Sequence, residues 1–95
     1  MPTYEWTAAF ARELAKLSVE DRAAFRAAVA LFIADLRDHQ GFRPELRIHK
    51  LKGQDVWSLT FGPDRRAVFT YGPEIKNGQP HIVWHHVGSH AIYKK

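Results

Sequence analysis

The stretch "DVWSLTFGPDRRAVFTYG", residues Asp55–Gly72, decides the fold. Large side chains alternate at Trp57, Leu59 and Phe61, and "RAVFTYG" is a second β-like run. A period of two puts alternate residues on one face of a strand. Between the runs lies "GPDR", with Gly and Pro where a chain reverses. Two antiparallel strands are therefore expected. Beyond them, "PEIKNGQP" carries an Asn-Gly turn signal and "HIVWHHV" is a third β-like run. The C-terminal half is an antiparallel meander.

Toward the N-terminus the period changes. "TYEW" (Thr3–Trp6) is a short β-like piece with Tyr4 and Trp6 on one side. Phe10, Leu14 and Leu17 then recur at helical spacing, with Arg12, Glu13 and Lys16 on the wet face. Thr7 can cap that helix through its hydroxyl. Ser18 opens a second helix, with Asp21 three residues on in a near capping box. Phe25, Ala28, Val29, Phe32 and Leu36 form its apolar face; Arg22 and Arg26 belong to the solvent. The helix should stop near Arg37 to His39, before Gly41. "HQGFRPELRIHKLKGQ" reads as a connector punctuated by Pro44 and Gly53. The predicted order is β-α-α-β-β-β. This is an α+β domain spanning residues 1–95, with two antiparallel helices packed on one face of a small, mainly antiparallel sheet. Basic and histidine side chains should gather on the other, open face and its rim.

A chain of 95 residues allows one core and not two. Three Trp, three Tyr and six Phe can supply much of the buried area. With no cysteine, disulfides and thiolate metal sites are excluded. "AAVALFIA" (Ala27–Ala34), the longest apolar block, is too short to span a bilayer, and no basic leader precedes an apolar run. A cytoplasmic protein without membrane attachment is expected. The formal charge is +4. The basic excess falls after Asp38, where all six histidines also lie. A basic half suits a polyanionic partner such as RNA, DNA or an acidic protein.

Four histidines near the C-terminus raise the question of a metal. His81, His85, His86 and His90 show spacings of four, which share a face only on a helix. On a strand, four residues span about 13 Å, so His81 and His85 cannot hold one ion. No carboxylate or cysteine nearby completes a tetrahedral set. Adjacent His85 and His86 should face opposite ways, one of them at a site rim. Trp57 and Trp84 occupy apolar alternation and read as core; Lys94 and Lys95 read as a solvated end.

Metal-free cleavage of a phosphodiester fits the residue types better. RNA supplies its own nucleophile, the 2′-OH. The protein must take that proton, steady the charge on phosphorus and protonate the leaving oxygen. Histidine suits proton transfer near neutral pH; Lys and Arg suit the charge; aromatic rings suit unpaired bases. His49, Lys50 and Lys52 precede the meander. Arg65 and Arg66 start its second strand, and His90 and Tyr93 end the chain. A strand-start Arg and a chain-end His meet only if their strands pair.

"LKGQDVWSLTFGPDRRAVFTYG" followed by "HIVWHHVGSHAIY" resembles the RelE/ParE superfamily of type II toxin–antitoxin toxins. "YEWTAAFARELAKL" resembles that family's first strand and helix, and "VGSHAIY" its Gly–x–His–x–x–aromatic ending. The resemblance implies a toxin that cuts mRNA in the ribosomal A site without metal or other cofactor, neutralised by an acidic antitoxin. Carried over, Arg66 holds the scissile phosphate, with Arg65 the second choice. His90 is general acid or base, and Tyr93 stacks on a base or assists proton transfer. Lys52 adds charge or the second proton-transfer group. His49, Lys50, Arg65 and Arg47 bind RNA. Some members use a glutamate base; here Glu45 alone lies near enough in sequence. ParE-like members act on DNA gyrase instead, and a non-catalytic interaction protein could use the same scaffold.

Overall fold

The computed structural model describes residues 2–39 and 41–94, without the side chain of Lys94. The expected solvated end at Lys94 and Lys95 lies outside the described residues and side chains. Strand β1 (Thr3–Trp6) leads into helices α1 (Ala8–Lys16) and α2 (Val19–Asp38). Strands β2 (His49–Lys50), β3 (Trp57–Gly62), β4 (Arg65–Gly72) and β5 (His81–Gly88) follow, and a 3₁₀ turn, His90–Lys94, comes last. The strands lie in the order β1-β5-β4-β3-β2. All neighbours are antiparallel except β1 and β5, which run parallel. The architecture is the α+β helix pair on a mainly antiparallel sheet that the sequence implies.

Both helix starts form as their caps require. Thr7 Oγ1 accepts from the Phe10 N–H at 3.1 Å, and Ser18 Oγ accepts from the Asp21 N–H at 3.0 Å. Each side chain satisfies one N–H that the first turn leaves free. Arg22 is not simply a solvent residue. Its guanidinium donates to Leu17 O at 2.7 Å, placing positive charge where the end of α1 presents bare carbonyls. α2 ends at His39, in the left-handed region at φ 55°. The cap comes two residues before Gly41.

Residues 39–54 are more than a connector. They contain a 3₁₀ turn at Pro44–Leu46 and the short strand β2, in which His49 pairs with Ser58 and Lys50 with Trp57. Two residues have no readable period, so only the partner strand defines β2. Leu46 from the turn is buried in the core.

The core lies between the helices and one sheet face. Phe10, Phe25 and Phe32 from the helices meet Leu59, Phe61, Phe69, Ile82 and Trp84 from the sheet. Phe32 stacks on Phe42 at 5.3 Å and meets Phe69 at 5.0 Å and Trp84 edge-on at 5.8 Å. Trp84 is core, as its position in the alternation implies; Trp57 is partly buried against it. β1 is anchored by His81, whose Nδ1 lies 2.7 Å from Thr3 Oγ1 and whose Nε2 lies 2.7 Å from Glu5 Oε1. With both nitrogens bonded and the residue 2% exposed, His81 ties strand to strand.

Asp35 closes the helix pair onto the following segment. Its carboxylate accepts from the Arg43 backbone N–H at 2.9 Å and from that guanidinium at 2.8 and 3.0 Å. These bonds hold the Asp35 carboxyl below its ordinary pKa of 3.8. A lowered carboxyl pKa stabilises the fold fully above the unfolded value and loses that contribution as pH falls through the folded one. The wild-type melting temperature should therefore drop below pH 3.8. Asp35→Asn should be less stable at pH 7 and show a shallower drop. Thermal melts of both proteins between pH 2 and pH 7 check this; parallel curves would contradict it.

Candidate active site

The open face of the sheet is built by β3, β4 and β5. One irregularity decides what it presents. Val68 pairs with His86 and the next residue, Phe69, pairs with Trp84, so His85 is an extra residue in β5. A bulge of this kind breaks the alternation of side chains. His85 and His86 consequently both line the same concavity, together with Thr70 and Tyr93. The expectation that they face opposite ways is corrected: a regular strand would separate them, and the bulge does not. The concavity measures about 220 Å³.

The C-terminal 3₁₀ turn folds back over this face. Gly88 makes that possible. It sits at φ 157°, and a Cβ there would meet Ile92 Cγ2 at 3.2 Å. Ile92 is buried, and the Tyr93 hydroxyl lies 2.6 Å from Ser58 Oγ, whose residue is fully buried. The Tyr93 hydroxyl is thus occupied, and its ring is held at the concavity.

Arg66 pairs with Thr60 on one side and with Gly88 on the other. Its guanidinium donates from one nitrogen to Gly62 O at 3.2 Å and Arg65 O at 3.0 Å. No carboxylate neutralises it among the described residues, so its charge is available. Thr60 Oγ1, in the same row, is buried without a hydrogen-bond partner among the described residues. His90, two residues beyond Gly88, is mostly exposed, with its Nδ1 against Asp64 Oδ1 in the β3–β4 turn. The bonds from His90 hold the Asp64 carboxyl below its ordinary value. A carboxylate only accepts, so the Nδ1 proton points to Asp64, and Nε2 has no hydrogen-bond partner among the described residues.

The remaining sequence candidates are placed less centrally. Arg65 is turned to the helix side and paired with Asp21 at 2.7 Å, so the second choice for a phosphate ligand is already engaged. Lys50 lies 3.7 Å from Asp55. His49 Nδ1 donates to Arg47 O at 2.8 Å, and Arg47 adopts a left-handed backbone at φ 46°. Lys52 is exposed in the β2–β3 loop. Arg47, Glu45 and Arg66 line a separate cleft beside α2. Among the described residues, no hydrogen bond or ion pair joins Lys52, Arg66, His90 and Tyr93 to one another.

Two features escaped the sequence. Glu13 is no wet-face residue: its side chain is 14% exposed, and Oε1 lies 3.0 Å from His86 Nδ1 and accepts from the Val87 N–H at 3.2 Å. Its place three residues after Phe10, on the flank of the apolar stripe, was the available signal. His85 Nε2 meets Thr70 Oγ1 at 2.9 Å. Burial and the neighbouring His86 hold the His85 pKa below 6.5, so this ring is neutral at pH 7. Among the described residues, no group of three or more His, Cys, Asp or Glu side chains is arranged to hold a metal. No described helix is long and apolar enough to cross a membrane.

No protein-family model matches the chain, and no curated protein does. Solved structures do. A copper-bound mutant toxin from Helicobacter pylori is 21% identical with a TM-score of 0.67, over 97% of this chain and 98% of that one. A chain of the Escherichia coli DinJ–YafQ complex is 14% identical with a TM-score of 0.67, over 97% of each. A YoeB/ParE toxin from Agrobacterium tumefaciens is 14% identical with a TM-score of 0.66, over 93% and 98%. At such identities the likeness is one of fold: the chain has the fold of these toxin chains.

Proposed function

We propose that this chain is the toxin of a type II toxin–antitoxin pair and a ribosome-dependent mRNA endoribonuclease. The observation that carries the reading is the end of the β4–β5 pair: Arg66, which meets no carboxylate among the described residues, and His90 just beyond its partner Gly88, oriented by Asp64. Arg66 holds the scissile phosphate, and Tyr93 presents its ring to a base. A general base takes the 2′-OH proton as O2′ attacks phosphorus, the bond to O5′ breaks, and His90 protonates O5′. The products are a 2′,3′-cyclic phosphate and a 5′-hydroxyl. Lys52, Lys50, His49 and Arg47 supply charge along the RNA path around β2, a role that needs no contact with Arg66.

The reading places the protein in the cytoplasm, with mRNA in the ribosomal A site and an acidic antitoxin as partners. The net charge of +4 suits both. Solved relatives in fold include a toxin–antitoxin complex from E. coli and the RelB–RelE antitoxin–toxin complex from Methanococcus jannaschii. Metal-free chemistry is part of the proposal. It has a direct test, because the toxins of H. pylori with this fold are described as copper-bound and metal-bound.

The deciding experiment is induced expression of wild type and His90→Ala, with primer extension on cellular mRNA. Wild type should arrest growth and leave codon-phased cuts; His90→Ala should leave mRNA intact. Arrest with intact mRNA and altered supercoiling would move the target to gyrase. No toxicity would favour an interaction protein. Loss of purified activity in chelator, restored by a metal ion, would overturn the metal-free step.

A further inference from the structure

Two histidines of β5 show what a structural and a reactive environment look like in the same strand. His81 has both ring nitrogens bonded and is buried. His86 has only Nδ1 held, by Glu13 at 3.0 and 3.3 Å. Its Nε2 has no hydrogen-bond partner among the described residues, and its ring lines the open-face concavity. Glu13 comes from α1, which packs on the helix-bearing side. It reaches the margin of β5 and is fixed there by the Val87 N–H at 3.2 Å. A carboxylate accepts and does not donate, so neutral His86 carries its proton on Nδ1 and a free lone pair on Nε2. A base held by a third group in this way is pre-oriented for proton abstraction.

The register places this lone pair relative to the phosphate site. His86 lies opposite Val68, and Gly88 opposite Arg66. Arg66 is thus the diagonal neighbour of His86 across the β4–β5 pair, about 7–8 Å away between backbones and within reach of a long side chain. His90 follows on the other side of Gly88. A phosphate held by Arg66 would be flanked by His86 of β5 and His90 of the following 3₁₀ turn, each with one nitrogen on a carboxylate.

We propose that His86 is the general base of the reaction, with Glu13 as its positioning residue. The assignment rests on the endoribonuclease reading above. Neutral His86 Nε2 takes the 2′-OH proton as O2′ bonds to phosphorus. The P–O5′ bond breaks, and protonated His90 gives its proton to O5′. One proton is taken and one is given, and nothing is oxidised.

The test uses the purified full chain on ribosomes programmed with two RNAs. One has an ordinary linkage at the cut site; the other has sulfur in place of the bridging 5′-oxygen. Sulfur leaves as a thiolate without a proton, so only the base is needed. His86→Gln should slow both RNAs, by about 10²-fold or more. His90→Gln should slow only the oxygen RNA. Glu13→Gln, which keeps an acceptor for Nδ1 and loses the charge, should lower kcat on both RNAs with KM unchanged. In His86→Gly, added imidazole should restore part of the rate, which misfolding alone would not allow. A His86→Gln protein as fast as wild type would overturn the assignment. So would rescue of that variant by sulfur, or loss of sulfur-RNA cleavage in Glu45→Gln with His86→Gln still active. A wild type that cuts neither RNA overturns the ribonuclease reading itself and this assignment with it.

Discussion

Arg66→Ala should cut the single-turnover rate of RNA cleavage about 10²–10³-fold, the usual loss when a group that steadies transition-state charge is removed. The side chain meets no carboxylate among the described residues, and its described bonds go to two backbone carbonyls in the β3–β4 turn. Its removal strands no buried countercharge, so the melting temperature should stay near that of wild type. Arg66→Lys should recover only part of the rate, because an ammonium lacks the planar fork that fits a phosphate. Cleavage on programmed ribosomes, beside a thermal melt of each variant, separates the two effects. A folded Arg66→Ala protein with full activity would remove Arg66 from the site. The neighbouring Arg65 offers the contrast. Its pair with Asp21 gives it a structural task, and Arg65→Ala should affect stability more than the chemical step.

Phe32→Ala should destabilise the fold by about 3–5 kcal/mol, the range for deleting a buried aromatic ring. Phe32 is 1% exposed. It joins α2 to the sheet through Phe69 and Trp84, and to the following segment through Phe42. Domains of this size hold roughly 5–15 kcal/mol in total, so the variant should sit near the edge of folding. Urea titration should show a midpoint well below wild type with a similar slope. An unchanged midpoint would mean the core closes around the loss. Toxicity should also fall through lower abundance, although Phe32 lies on the face opposite the site.

The elements themselves were legible because each has a local cause. Thr7 and Ser18 cap helices through their own hydroxyls, and Phe10, Leu14 and Leu17 repeat at a helix period. Trp57, Leu59 and Phe61 repeat at a strand period, and Asn77-Gly78 turns the loop between β4 and β5. Two-residue β2 was not legible, since it exists only by pairing with β3. The end of α2 near His39 was legible, but the left-handed cap on His39 itself rather than on a glycine was not.

The candidate site divides in the same way. Arg66, His90 and Tyr93 stand out by residue type and place in the chain, and pairing of β4 with β5 brings Arg66 and His90 to one end of the sheet. The fate of His85 and His86 was beyond any pattern. A bulge is a mismatch between two strands, and one strand's sequence does not contain it. Glu13 likewise looks like any helix-surface acid until α1 is laid along β5. Local periodicity and capping thus determined the helices, the meander and the fold class. Tertiary structure alone decided which arginine meets no carboxylate among the described residues, which histidine is held through Nδ1, and which carboxylate holds it. Those properties depend on distances between residues dozens of positions apart, and no local period encodes them.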